Sequence, residues 1–488
     1  MSVFRNYRLF RMDTLVFGTD GWRDIIGDKF TFDNISRAAQ AYANYLIELG
    51  ETKALVGYDT RFNANLFAKR TAEVLAANGL KVYLSDSYLP TPALSFAVKH
   101  YQAGGGIMLT ASHNPPAYLG FKLKGSYGGT ATQAIYKAVS SKVPDISLED
   151  VAHFDASKHS IRQFDIREAY WDALKHLVDL EAIRVFKGSI YHDAMGGAGT
   201  GWLTGFFEYL GLDIDVNDFR SKTDPMFFGV NPEPIDLNLI DAITFMKDKT
   251  EGIVFATDGD ADRIGAVLPG GVFFNSSQIF SVLLNTLSQK GRAGRVVKTF
   301  TVSRVVERLA ELRGYEVVET PVGFKYIVDA MLEGDVVIGG EESGGIGVAG
   351  HIPERDGIAN SLLLLEAMAL SGKSMRAIFE DIEQEVDWKH AYDRLDLHLN
   401  GNELKERVVK TLESPLAEFA HRQIESIERL DGVKFNLSGN AWLMFRPSGT
   451  EPVLRIYCEA ATKKEVSTIL SEANAFVESL GQSLVDTA

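Results

Sequence analysis

The chain has 488 residues, the length of three or four domains at roughly 150 residues each. Hydrophobic residues make up 45%, charged residues 24%, and the formal net charge is -15; this soluble composition excludes nucleic acid as an expected partner, because a polyphosphate surface calls for a basic face. The lone Cys458 excludes an internal disulfide and a CxxC metal site, in keeping with a cytoplasmic location, and no apolar run is long enough to span a bilayer. Met1 to Arg11 carries three arginines but no signal-peptide core. It reads as a short extension, with Met12 an alternative start.

In chain order, residues 32–49 place Ile35, Ala38, Tyr42, Leu46 and Leu49 at helical spacing before Gly50. A strand at 54–58, a helix at 63–78, a strand at 81–85, a helix at 92–100 and a strand at 106–110 follow. A second set comprises strand 189–194, a helix near 200–210, strand 213–216, a helix near 235–248 and strand 252–256. A third comprises strand 295–300, a helix near 303–313, strand 315–319, a helix near 324–333 and strand 335–338. Apolar strands alternating with helices predict largely parallel sheets covered on both faces. After about 385 come a helix at 403–412, strands near 422–428, 441–446 and 453–459, and a closing helix at 462–480. The expected fold is three similar mixed α/β domains plus a smaller C-terminal α+β domain around a central cleft. The expected boundaries are 1–160, 161–272, 273–385 and 386–488.

Each set ends in a Gly-containing turn, an apolar strand and a polar loop: GGGIMLTASHNPP, EGIVFATDGDADR and GDVVIGGEESGG. Ligands gather at the carboxyl ends of strands in such sheets, so the three loops are expected to converge. In the first, Ser112 and His113 stand in a proline-stiffened turn, and a serine ester stores phosphate stably; ordinary turn chemistry accounts for the same residues. In the second, Asp258, Asp260 and Asp262 alternate, suited to a hard cation such as Mg2+, with Arg263 beside them for phosphoryl charge. An EF-hand is excluded because its glycine and glutamate positions hold Arg263 and Pro269. In the third, Glu341 and Ser343 suit sugar hydroxyls. Residues 345–350 also match G-x-G-x-x-G, but they follow the acidic loop rather than a strand, and Pro353 interrupts the helix that motif requires. Gly197, Gly199 and Gly201 read as a tight turn. A fourth loop, RPSGTEP, offers the Arg446 fork, the Ser448 and Thr450 hydroxyls and a nest at Gly449 for an anion.

Together with FGTDGWR at Phe17–Arg23, these loops resemble, in order and over nearly the whole chain, the α-D-phosphohexomutase superfamily of phosphoglucomutases and phosphomannomutases. The resemblance implies Ser112 as phosphoserine; Asp258, Asp260 and Asp262 holding Mg2+ with a phosphoserine oxygen; and Glu341 and Ser343 on sugar hydroxyls. It implies Arg446, Ser448, Gly449 and Thr450 on the unreacting phosphate, Arg23 and Arg263 near the transferring group, with His113 in the same catalytic set, and Lys122 as general acid/base. Lys298, Thr320 and Gly323, the last two in TPVGFK, match further substrate-side positions. A hexose 1,6-bisphosphate, glucose 1,6-bisphosphate in the favoured case, is the implied intermediate and activator. The implied partners are small hexose phosphates, with no membrane, and a monomer or homodimer.

Two departures from the family pattern bear on the placement of Lys122 and on substrate, respectively. Leu119 stands where family members often have Asn, and Gly345 stands where some mannose-active relatives have His. The EES loop and TPVGFK look glucose-type; glucosamine-type members usually carry Gln in place of Glu342. The expectation is interconversion of glucose 1-phosphate and glucose 6-phosphate. A phosphomannomutase or dual-specificity mutase, a bisphosphate synthase and a phosphosugar phosphatase are the alternatives. A non-catalytic phosphosugar binder would lack Ser112 or an aspartate, and all are present.

Overall fold

The computed structural model describes residues 15–485 except residues 19, 400, 415 and 449–451. Met12, Gly449 and Thr450 therefore lie outside the described residues. Among those described, four sheets follow one another along the chain. The first has seven strands, in the order Trp22–Ile25, Tyr118–Gly125, Gly105–Leu109, Lys53–Tyr58, Lys81–Ser85 and Ile161–Phe164, with Gly129–Thr130 paired to Tyr118–Gly125. Ile161–Phe164 runs parallel to Lys81–Ser85, so this sheet extends past residue 160. The second sheet has five strands between Ile190 and Phe274, the third four between Arg295 and Val348, and the fourth six between Ala391 and Ala460.

The first three sheets share one local design. A strand buried over all or nearly all its length runs parallel to a neighbour, ends in a polar loop, and is followed by an antiparallel return strand. Gly105–Leu109 turns back as Tyr118–Gly125, Ile253–Thr257 as Ile264–Leu268, and Val336–Gly340 as Ile346–Val348. The sheets are thus mixed rather than wholly parallel. The return strands are what place three loops at the ends of hairpins, all facing the same way.

Several elements differ from the sequence expectation. The strand expected at 213–216 is Val216–Asp218. The helix expected near 235–248 is a 3-10 turn at Asp236–Asn238 and a short helix, Ile240–Met246; Pro232 and Pro234 precede it, and their fixed φ and missing N–H groups hold that stretch extended. Helices Ser276–Gln289, Gly357–Ser371 and Met375–Glu385 complete the third domain. Gly357–Ser371 is buried almost all round, so it has no polar face and no helical period to detect. Leu362, Leu363, Leu364 and Leu365 are at most 1% exposed, each worth about 1.5–3 kcal/mol of apolar burial. In the last domain, Ala391–His398 and Val433–Leu437 join the expected strands. Ala391–His398 reads Ala-Tyr-Asp-Arg-Leu-Asp-Leu-His, an edge strand whose charged residues blunt its open side.

One continuous core crosses the first three domains, including Leu94 and Met108, Phe206 and Phe255, and Leu283 and Leu363. It fixes their loops relative to one another. The C-terminal domain has its own core around Phe435, Leu443 and Ile456. It docks on the third domain through Phe300, Trp442, Met444 and Tyr457 and through buried Glu459. That carboxylate accepts from His390 Nδ1 at 2.6 Å, Trp442 Nε1 at 2.5 Å and the Arg304 N–H at 3.1 Å, and from the Ser303 hydroxyl. Burial opposes its ionisation, but His390, Ser303 and Arg304 outweigh that and hold its pKa at about 2. The folded value lies below the ordinary carboxylate range, so the stabilisation is complete above about pH 4.5 and is lost as pH falls through about 2. It is worth about 3 kcal/mol. Thermal melts followed by tryptophan fluorescence should show Glu459→Gln well below the parent at neutral pH. The gap should narrow steadily as the pH is lowered below about 4.5.

Candidate active site

The strand Gly105–Leu109 delivers Ser112 into a buried pocket. Ser112 adopts a left-handed backbone, φ 54°, uncommon outside glycine, and its N–H donates to Thr110 Oγ1 at 2.9 Å. Its hydroxyl donates to Asp258 Oδ2 at 2.7 Å, and His113 Nδ1 lies 3.4 Å from Ser112 Oγ. Burial, and then the positive charges of Arg263, Arg23, Lys122 and Arg394, push the imidazole well below its usual pKa, so His113 is neutral. Arg23 donates to Asn114 Oδ1 at 2.8 Å and lies 3.4 Å from Asp20.

The second loop presses against the first. A Cβ on Gly259 would stand 2.5 Å from the Ser112 carbonyl oxygen, so only glycine lets the two loops close. Asp258 Oδ1 accepts the Asp262 and Arg263 N–H groups at 2.9 and 3.0 Å. Asp258, Asp260 and Asp262 are all buried, and one oxygen of each lies within 4.8 Å of the others. Burial and the charges of Asp260 and Asp262 raise the proton affinity of Asp258 strongly. Lys122 Nζ reaches Asp260 at 2.8 Å, Asp262 at 3.0 Å and Asp20 at 3.1 Å. Burial alone would lower its pKa, but those three carboxylates raise it, and Lys122 is a firmly held ammonium. Thr91 donates to Asp260 at 2.6 Å.

These cations do not complete the aspartate shell. Oδ1 of Asp20, Asp260 and Asp262 are buried with no hydrogen-bond partner among the described residues, although buried oxygens are otherwise almost always satisfied. A cluster of carboxylate oxygens with open lone pairs fits a hard divalent cation, and Asp258, Asp260 and Asp262 are the residues that would hold it.

The third loop docks on the second through the Ile264 N–H to the Gly344 carbonyl at 3.0 Å. Glu341 is buried, and burial followed by the charge of Glu342, only partly offset by Arg355, pushes its pKa up to about 7. Ser343 Oγ is buried and has no hydrogen-bond partner among the described residues. Glu342 points away, onto the third sheet, where it accepts from Thr299 at 3.4 Å and from Thr301. Arg355 was not singled out by sequence, yet it is central. Its guanidinium lies 2.8 Å from Asp262, 2.9 Å from Asp20 and 3.8 Å from Glu341. A Cβ on Gly345 would fall 2.4 Å from Arg355 Cδ, so the small residue at 345 is what makes room for the arginine. Arg355 and Asp20 were findable as charges beside an ordered motif, Arg355 in Pro353–Gly357 just ahead of a helix, but their convergence depends on three domains.

Arg263 lies 3.5 Å from Glu233, which also stands 3.9 Å from Arg394 of the C-terminal domain. Arg446 is ion-paired with Asp431 at 2.8 Å, and the same carboxylate oxygen accepts the Val322 N–H at 2.9 Å, which ties RPSGTEP to TPVGFK. The Ser448 carbonyl accepts from Lys405 at 2.8 Å. Thr320 Oγ1 donates to the Pro321 carbonyl at 3.1 Å, and Gly323, φ 139°, begins the helix Phe324–Glu333. Lys298 pairs with Glu319 and, at 3.7 Å, with Glu307. It lines a cavity of about 240 Å3 together with Glu311 and Glu428, rather than joining the aspartate cluster. The structure thus assembles Ser112, His113, Lys122, Arg23, Arg263, Asp258, Asp260, Asp262 and Glu341 closely. It places Lys298, Thr320, Gly323, Arg446 and Ser448 on the third and fourth domains.

Comparison with known proteins agrees with this arrangement. Four family models match consecutive stretches: the phosphoglucomutase/phosphomannomutase alpha/beta/alpha domains I, II and III at residues 14–150, 168–271 and 275–386, and the C-terminal domain at 403–475. The chain belongs to the phosphoglucomutase/phosphomannomutase family. It is an isomerase of the mutase type and a member of the α-D-phosphohexomutase superfamily. A "Phosphoglucomutase" of Komagataeibacter xylinus is 30% identical, over 94% of this chain and 90% of its own. A "Phosphoglucomutase/phosphomannomutase" of Thermococcus kodakarensis is 29% identical, over 93% and 96%. The crystal structure of a "putative phosphomannomutase" from Thermus thermophilus superposes with a TM-score of 0.86 at 44% identity, covering 96% of this chain and 99% of that one.

The orphaned carboxylate oxygens have a direct consequence. Titration with Mn2+ followed by electron paramagnetic resonance should show one tight site in the parent. Asp260→Asn or Asp262→Asn should weaken it at least tenfold, with the fold unchanged by circular dichroism.

Proposed function

We propose that this mutase interconverts glucose 1-phosphate and glucose 6-phosphate through a phosphoserine at Ser112 and a bound glucose 1,6-bisphosphate. The observation that carries the reading is Ser112 Oγ held against Asp258 in a buried pocket ringed by Lys122, Arg355 and Arg263. Phosphorylated Ser112 carries a charge of about -1.5 to -2, and fixed cations around it supply most of what phosphoryl transfer asks of a protein. Mg2+ bound by Asp258, Asp260 and Asp262 would neutralise phosphoryl oxygens. A sugar hydroxyl oxygen attacks phosphorus and gives up its proton, the P–Oγ bond breaks, and Ser112 Oγ takes a proton, so that the half-reaction neither gains nor loses a proton overall. Lys122, an ammonium in this pocket, is suited to donate a proton, whereas neutral His113 at 3.4 Å from Oγ is better placed to accept one. In the second half-reaction the bisphosphate presents its other phosphate; Ser112 Oγ attacks that phosphorus while losing its proton, the bond from phosphorus to the sugar oxygen breaks, and that oxygen takes a proton to leave the isomerised monophosphate.

Glu341 and Ser343 would grip sugar hydroxyls, and Arg446, Ser448, Gly449 and Thr450 the phosphate that is not reacting. Arg23 and Arg263 would meet the transferring group, with Lys298, Thr320 and Gly323 supporting the sugar from the third domain. The glucose choice rests on the likeness of the EES loop and of TPVGFK to glucose-type members, and on Gly345 with Arg355 in the space beside it. Mannose activity is the second reading, since the two sugars differ in one hydroxyl. Some relatives, such as one from Clostridium botulinum that is 26% identical over 93% of this chain and 96% of its own, are described as "Phosphoglucosamine mutase".

Three outcomes check the proposal. Ser112→Ala should lower isomerisation by roughly three orders of magnitude or more with an intact fold; near-parental turnover would sink the phosphoserine. In a panel of glucose, mannose and glucosamine 1-phosphates with Mg2+ and trace bisphosphate, glucose 1-phosphate should turn over fastest. Release of inorganic phosphate in place of isomerisation would instead mark a phosphatase. Finally, Glu341 as a carboxylate accepts from sugar hydroxyls, so kcat/KM should rise as pH increases through about 7. That limb should vanish in Glu341→Gln.

A further inference from the structure

We infer that Arg61, clamped over Phe227, is a positioning residue that holds the Ser112 loop in its reactive shape. This rests on the reading of Ser112 as the phosphate carrier. Arg61 follows the strand Lys53–Tyr58, the neighbour of the strand that feeds Ser112, and its side chain is fully buried. Its N–H groups are all engaged. Nη2 donates to the Ser112 and Asn114 carbonyls, both at 2.7 Å. Nη1 donates to the Pro115 and Tyr118 carbonyls at 2.8 and 3.0 Å, and Nε donates to Asp59 at 3.1 Å. Four carbonyls of one loop, from Ser112 to Tyr118, therefore converge on one planar fork. An arginine supplies that geometry and a lysine, with three donors on a flexible stem, does not.

The carbonyls converge because Ser112 is left-handed, φ 54°, a backbone that persists only where its surroundings over-determine it. Arg61 is such a constraint, since it binds the Ser112 carbonyl itself. Arg61 is fixed in turn from the second domain. Its guanidinium carbon lies 4.7 Å from the centroid of the Phe227 ring, and Phe227 is wholly buried. Phe227 and Phe228 are themselves left-handed at φ 53° and 55°. That turn is held by Asp224, which accepts the Met226 and Phe228 N–H groups at 2.9 Å each. The chain of contacts runs from Asp224 through Phe227 and Arg61 to the Ser112 carbonyl. It links the second domain to the reactive serine without touching substrate. Asp59, whose pKa burial pushes up to about 6 against the pull of Arg61, completes the clamp from the rear.

The test compares parent, Arg61→Lys and Phe227→Leu as full chains. Hydrogen–deuterium exchange of residues 111–118, which needs no substrate, reads the loop directly. Steady-state kinetics on glucose 1-phosphate with Mg2+ and bisphosphate reads the consequence. Exchange of the loop should rise at least tenfold in both variants while the sheet strands stay protected. The kcat should fall about 10- to 100-fold, with KM within threefold of the parent. Parental loop exchange in either folded variant overturns the clamp. Full kcat in Arg61→Lys also overturns it, by showing that charge alone matters. If Arg61→Lys fails to fold, Phe227→Leu decides by the same two readouts. A parent that isomerises no hexose phosphate removes the functional reading but leaves the exchange comparison standing.

Discussion

Four carboxylates packed together out of water impose the constraint on which the rest of the structure depends. Asp20, Asp258, Asp260 and Asp262 share one pocket, and like charges so close cannot all remain ionised without cations among them. Lys122 and Arg355 are those cations in the protein itself, each touching two or more of the acids. Their origins matter. Asp20 and Lys122 come from the first domain, the Asp258 loop from the second and Arg355 from the third. The charge balance of the pocket therefore exists only when three domains are closed on one another, and the shared apolar core keeps them so. Three carboxylate oxygens without partners among the described residues mark the place where that balance is incomplete.

Backbone proximity, rather than side-chain chemistry, brings the loops to this pocket. Gly259 against the Ser112 carbonyl, Gly344 against the Ile264 carbonyl and Gly345 against Arg355 each leave no room for a Cβ. The last shapes the surroundings of Glu341. The space beside that residue is filled by an arginine side chain entering from Ile352–Gly357, so the buried carboxyl is backed by a guanidinium. Glu354, next in sequence, is anchored in the first domain by Lys124 at 2.6 Å, Thr130 at 2.7 Å and Ser95 at 2.9 Å, which fixes where Arg355 emerges.

The C-terminal domain is attached differently. It has its own core and meets the others through one small apolar contact, Phe300 against Trp442, Met444 and Tyr457, and through polar bridges: Asp431 to Val322, Arg394 to Glu233, and the Glu459 network around Ser303 and His390. Bridges of this kind fix orientation at discrete points, and an interface without a large apolar area is the kind that permits relative domain motion.

Much of this was legible in the sequence. The alternation of apolar strands and helices, and the polar loops at strand ends, yielded three repeated units and a distinct fourth. They also yielded Ser112, the aspartate triplet and Glu341, because each lies within a few residues of an apolar strand and its chemistry is local. Gly357–Ser371 escaped because a helix buried on all sides carries no period, and 235–248 misled because prolines outside the window set its backbone. Arg61 and Arg355 carried no local sign of their partners: the carbonyls of 112–118 and the carboxylates of Asp20 and Asp262 are distant in sequence. Sequence by itself determined which groups could do phosphoryl chemistry, since that depends on side-chain type and spacing. Tertiary structure alone decided which charges face one another inside the pocket and which arginine holds the serine in place, because burial and pairing are properties of the closed chain.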